Sequence, residues 1–112
     1  MTPEEWVRQQ FLHHLVTDLA YPASLIGVEV PLRDKRADAV VYRKDLTPLM
    51  LIECKAESVP LTQTTLDQAA VYNRQLCVPY IVLHNGPTTI IGRVEANRIS
   101  FAQQMPAYGD LI

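Results

Sequence analysis

Leu49-Met50-Leu51-Ile52-Glu53-Cys54-Lys55-Ala56 decides the fold. Its first four residues are all apolar, which leaves neither face of a strand for water. Residues 49–56 therefore read as a central strand covered on both sides. The run closes on Glu-x-Lys. Strand side chains alternate, so Glu53 and Lys55 point to one face and Cys54 to the other. A carboxylate buried at a strand end costs several kcal/mol unless something pairs with it, so the neighbours of Glu53 matter.

The nearest upstream run, Arg36-Ala37-Asp38-Ala39-Val40-Val41-Tyr42, belongs to a strand over residues 37–43. Asp45 to Pro48 supplies the turn between the two strands. Counting back from it puts Asp38 roughly level with Glu53. Before it, Arg33-Asp34-Lys35-Arg36 is a charged turn and residues 24–32 form a first strand. Residues 3–19 form an amphipathic helix, with Val7, Phe11 and Leu15 at i, i+4 spacing and Leu12 and Leu19 beside them. Thr2 is its N-cap, Pro3 suits the first helical position, and Glu5 completes a Thr-x-x-Glu capping box. Tyr21-Pro22 stops the helix.

Downstream, Pro60 breaks the chain and a second helix covers residues 62–76, with Leu66, Ala69, Ala70, Asn73 and Leu76 along one side. Residues 78–84 form a fourth strand. Asn85-Gly86-Pro87 is a turn, and residues 88–95 form a fifth strand paired with the fourth. The tail, 97–112, has no strong period, although Phe101 and Met105 support a short helix. The order α-β-β-β-α-β-β predicts an antiparallel meander, a helical crossover and one parallel pairing. The fold class is α/β (α+β), with a mixed central sheet flanked by helices.

A length of 112 residues suits one domain, 1–112. Hydrophobic content of 48% and charged content of 20% are ordinary for a globular fold. The apolar runs are strand-sized, which excludes a membrane span, and nothing reads as a signal peptide. Residence in the cytoplasm is the expectation. Cys54 and Cys77 lie far apart, outside any Cys-x-x-Cys motif, so free buried thiols are expected rather than zinc or a disulfide. A net charge of −2 means that any nucleic-acid affinity rests on a local patch or a partner.

Two carboxylates at the separation of Asp38 and Glu53 can share one Mg²⁺ through oxygen ligands, with Mn²⁺ as a substitute. Such a metal lowers the pKa of its water, and Lys55 stands where it can orient that water and stabilise developing charge. Glu-x-Lys alone reads more readily as an ordinary surface ion pair, and the upstream Asp on a neighbouring strand brings the two readings level. Gln68 and Tyr72, four apart on the second helix, share a face and can hold a water or phosphate oxygen. Their bland alternative is half-buried packing for Tyr72 and solvent for Gln68.

Arg36-Ala37-Asp38, Ile52-Glu53-Cys54-Lys55-Ala56 and Gln68-Ala69-Ala70-Val71-Tyr72-Asn73 together resemble the PD-(D/E)xK nuclease superfamily. The branch they resemble stands at the N terminus of type I restriction enzyme R subunits. The resemblance extends over most of the chain, including Val78-Pro79-Tyr80 and Leu83-His84-Asn85-Gly86. It implies a restriction-endonuclease-like αβββαβ core. It also implies metal ligation by Asp38, Glu53 and the Cys54 backbone carbonyl, a catalytic role for Lys55, and accessory roles for Gln68 and Tyr72. An acid from the first helix often completes such sites. Glu5 matches best, with Glu4 next and Glu29 as an alternative, and the capping box competes for Glu5. Ala37 replaces the proline that gives the superfamily its name. No helicase region accompanies these motifs, so complete type I restriction is not expected of this chain alone.

Arg33, Lys35, Arg36, Arg43 and Lys44 surround the strand-two hairpin, and Arg74 follows the Gln-x-x-x-Tyr pair. Most read as solvated. Arg36, two positions before Asp38, is the candidate contact to a backbone phosphate. His13, His14 and His84 lack ligand spacing. Two functions follow: a Mg²⁺-dependent DNA nuclease acting as a homodimer or with a partner protein, or an inactive nucleic-acid-binding or assembly module that keeps the fold. A structural oligomer with an ordinary Glu53–Lys55 ion pair is the third reading.

Overall fold

In a computed structural model, which describes residues 1–96 and 98–112, the run through Leu49–Cys54 is buried at every position. This strand, β3 (Pro48–Cys54), lies in the middle of one six-stranded sheet. The strands are β1 (Ile26–Pro31), β2 (Arg36–Tyr42), β3, β4 (Tyr80–His84), β5 (Thr89–Glu95) and β6 (Arg98–Ala102), adjacent in chain order. β3 and β4 are parallel, and the other neighbours are antiparallel. The restriction-endonuclease-like order inferred from the sequence is present, with one strand added.

Alternation along β3 divides the core. Met50, Ile52 and Cys54 join Ala39, Val41 and Val82 beneath α1 (Pro3–Asp18), which contributes Val7, Phe11 and Leu15. Leu51 joins Val40, Ile81 and Leu83 beneath α2 (Gln63–Leu76), which contributes Ala69 with Leu66 and Tyr72 packed beside it. Thr62 caps α2. Asn73, on its buried side, clamps the following loop by donating to Val78 C=O at 3.1 Å and accepting Val78 N–H at 2.9 Å. That clamp sets where β4 begins, and with it the crossover from β3.

Two expectations are corrected. The segment around Phe101 is strand β6, not a short helix: Ile99 and Phe101 alternate onto the face of β5 at Gly92. A Cβ on Gly92 would come within 2.8 Å of the Ile99 side chain, so the missing side chain is what admits this strand. Cys54 is buried as expected, but Cys77 is exposed. It is the C-cap of α2, in the left-handed region at φ 55. The tail beyond β6 returns across the α1 side, where Tyr108 is buried and donates its hydroxyl to Tyr42 C=O at 3.0 Å.

Candidate functional site

The pairing of β2 with β3 aligns Ala39 with Ile52, so the next step of the ladder brings Asp38 level with Glu53. Directly opposed residues on antiparallel strands project to the same face, here the α2 side. Asp38 is pinned by the backbone: Cys54 N–H donates to its Oδ2 at 2.7 Å. A charge-assisted bond of this kind holds a carboxylate in one orientation.

Glu53 is 5% exposed. Its Oε2 receives the ammonium of Lys35 at 3.4 Å, whereas its Oε1 is buried without a hydrogen-bond partner. Burial, and then the charge of Asp38, push the Glu53 carboxyl up to about 7, against the opposing pull of Lys35. The result is a carboxyl poised near neutrality, beside a second carboxylate, with one buried oxygen still free to accept.

The cation at Glu53 is therefore Lys35, which stands on the turn between β1 and β2. Its ammonium also lies 4.0 Å from the centroid of the Tyr72 ring, which connects Tyr72 of α2 to the acidic pair. Lys55, one residue beyond β3, donates its N–H to His84 C=O at 2.8 Å and is half-buried. Gln68 is exposed on α2, one turn before Tyr72. The sequence offers one signal for Lys35: a buried Glu53 needs a counter-charge. Lys55, two residues away, satisfies that need on paper and hides the lysine that meets it in space.

The thiol of Cys54 points to the α1 side, and burial pushes it up. The charges of Asp38, Glu53 and Glu4 add to that push, while Arg8 opposes it. The first-helix acid whose charge reaches this end of β3 is thus Glu4. Glu5 is engaged in capping: its carboxylate accepts from the Thr2 hydroxyl at 3.1 Å, and its N–H donates to Thr2 Oγ1 at 3.1 Å. Glu29 sits at the β1 edge at φ 52, and its carboxylate goes to Arg8 at 3.6 Å and to the exposed Arg36 at 4.0 Å. His84 stacks on Phe11 at 4.1 Å and bonds Thr89 Oγ1 at 2.7 Å. Burial, and then His14, lower it to about 4, as suits a packed neutral imidazole.

Among the described residues, no group of three or more His, Cys, Asp or Glu side chains could hold a metal ion. Asp38 and Glu53 form a pair. Carboxylate oxygens are the donor type a hard divalent cation takes, and one of the four here, Glu53 Oε1, is buried without a hydrogen-bond partner. Among the described residues, no helix is long and apolar enough to cross a membrane. The family model described as Type I restriction enzyme R protein N terminus matches residues 3–106. No curated protein matches the chain.

Proposed function

The chain belongs to the family of type I restriction enzyme R protein N termini, and on that premise we propose that it is a Mg²⁺-dependent nuclease domain that hydrolyses DNA phosphodiester bonds. The supporting observation is the facing pair Asp38 and Glu53, with Glu53 Oε1 buried and unpartnered. A buried acceptor left unsatisfied costs about 1–3 kcal/mol, and a metal ion at that oxygen removes the cost.

Asp38, Glu53 and the Cys54 carbonyl would hold the ion in this reading, with Glu4 or Glu5 as the first-helix acid. Bound there, Mg²⁺ or Mn²⁺ lowers the pKa of its water and neutralises phosphate charge. Lys55, past the end of β3, would orient the attacking water and stabilise the developing negative charge. Tyr72 and Gln68 line the α2 side of the substrate path. Arg36, with its side chain 69% exposed, would contact a backbone phosphate. A second copy of the chain or a partner protein supplies the remaining DNA contacts, because a net charge of −2 gives little bulk attraction.

The second reading, a binding or assembly module that keeps the fold, draws on the absence of a third metal-binding side chain among the described residues. The deciding experiment offers plasmid, duplex and single-stranded DNA with Mg²⁺ or Mn²⁺ to the wild type, Lys55→Ala and Glu53→Ala. Metal-dependent cutting by the wild type, reduced at least about 100-fold in both variants, is the expected result. DNA binding without cutting, in a folded wild type, would establish the binding module instead.

A further inference from the structure

Glu53 already has a cation. The Lys35 ammonium lies 3.4 Å from its Oε2, with the lysine side chain 28% exposed and the glutamate side chain 6% exposed. The same ammonium lies over the ring of Tyr72 at 4.0 Å from its centroid, an arrangement that stabilises a partly desolvated cation. The turn carrying Lys35 is closed by Leu32 N–H on Lys35 C=O at 2.7 Å. It is tied to α2 by Arg33 N–H on Gln75 Oε1 at 2.8 Å. The backbone beneath this lysine is fixed, and a lysine's flexible four-carbon stem lets the ammonium move without it.

An ammonium and a divalent ion at one carboxylate repel each other at contact distance. A metal arriving at the free Oε1 sets a divalent charge beside the ammonium on Oε2, which favours release of Lys35, and the displaced group has somewhere to go. Lys35 lines a cavity of about 310 Å³ together with Arg33, Arg74, Tyr72 and Gln75, with Asp34 also on its wall. Two guanidinium side chains and an ammonium outnumber the single carboxylate there, and a cationic recess of this kind fits a phosphate oxygen.

We propose that Lys35 is an exchanging counter-cation: it holds Glu53 until a divalent ion takes that carboxylate, and the released ammonium then holds a nucleic-acid backbone phosphate in the adjoining cavity. The proposal rests on the reading of Asp38 and Glu53 as the metal-holding pair, and adds to it a substrate contact and a link between metal entry and substrate binding. Lys35 thereby has a role separate from that of Lys55, which carries no such partner at Glu53.

The test measures Mn²⁺ binding to the DNA-free protein by electron paramagnetic resonance, for wild type, Lys35→Met and Tyr72→Leu. Duplex binding by fluorescence anisotropy, with and without Ca²⁺, follows on the same proteins. Lys35→Met is expected to bind Mn²⁺ about tenfold more tightly, equivalent to ~1.4 kcal/mol. Tyr72→Leu, which loosens the ammonium without touching the acids, shifts Mn²⁺ affinity the same way and by less. With Ca²⁺ present, Lys35→Met is expected to lose DNA affinity several-fold; without it, the loss is small. Wild type that binds Mn²⁺ beside variants that bind it equally or more weakly would overturn the exchange, as would Ca²⁺-independent DNA affinity losses. Failure of every protein to bind Mn²⁺ would instead overturn the metal reading beneath it. Should Lys35→Met fail to fold, Tyr72→Leu carries the Mn²⁺ comparison.

Discussion

Asp38 and Glu53 face each other across β2 and β3 yet are satisfied unequally: Asp38 accepts the Cys54 N–H at 2.7 Å, whereas Glu53 leaves one buried oxygen without a partner. The asymmetry follows from position. Asp38 reaches past the ladder to the backbone of β3. Glu53 projects beneath the β1–β2 turn, where the ammonium of Lys35 meets one oxygen and the other has no hydrogen-bond partner among the described residues.

That asymmetry gives stability a pH dependence. The Glu53 carboxyl has an ordinary value of 4.5 and is raised to about 7 in the fold, by burial first and by Asp38 second. An acid raised on folding favours the folded state when protonated. Its contribution is fully present below about pH 4.5 and is lost as the pH rises to about 7. Glu53→Gln is expected to abolish this decline, so its melting temperature relative to wild type should improve steadily across that window. A constant difference from pH 4.5 to 7 in paired thermal melts would contradict it. Mn²⁺ at neutral pH should restore part of the loss in wild type and none in Glu53→Gln.

Cys77 ends α2 at φ 55 with its side chain exposed. A Cβ in the left-handed region costs about 1 kcal/mol, and glycine is free of that cost. Cys77→Gly removes that cost but adds about 0.4–1 kcal/mol of unfolded-chain entropy, so it should stabilise the fold by no more than about 0.5 kcal/mol, read as a slightly higher urea midpoint at unchanged slope.

Asn73 shows the opposite case. Its amide both donates to and accepts from Val78, and the residue is 9% exposed. Asn73→Ala leaves two backbone groups without partners, a loss of about 2–4 kcal/mol. Asn73→Asp keeps the acceptor and loses the donor, so it should fall between the two in denaturant melts.

The parts of this architecture that were legible in the sequence are those where local pattern and tertiary burial agree. Val7, Phe11 and Leu15 announce α1, and the run into Glu53 announces the central strand. The Asp38–Glu53 register, counted from a turn, survives because the irregularity at Val41 and Tyr42 is absorbed next to that turn. What stayed hidden depends on residues distant in the chain. β6 exists because Gly92 on the preceding strand has no side chain, which the short Ile99–Phe101 alternation does not reveal. Cys77 sits in an apolar run, yet its conformation, set by the helix end, turns it outward. Lys35 is 18 residues from Glu53, and its reach depends on the closure of one tight turn.

Replacing Asp38 separates its two duties. Asp38→Asn keeps an oxygen that can accept the Cys54 N–H but removes the charge; Asp38→Ala removes both. Asn should leave stability within about 1 kcal/mol of wild type, whereas Ala leaves a strand N–H without its acceptor and costs about 1–3 kcal/mol. Both variants should lose Mn²⁺ affinity at least about tenfold, because either leaves Glu53 as the single carboxylate at the site. Both should also let the Glu53 carboxyl fall from its raised value, since the charge of Asp38 is the second cause of that rise. Isothermal titration with Mn²⁺ beside thermal melts decides the matter. Unchanged metal affinity in both variants, whatever the melts show, would leave Asp38 as a strand-end hydrogen-bond acceptor and Glu53 as half of an ion pair with Lys35.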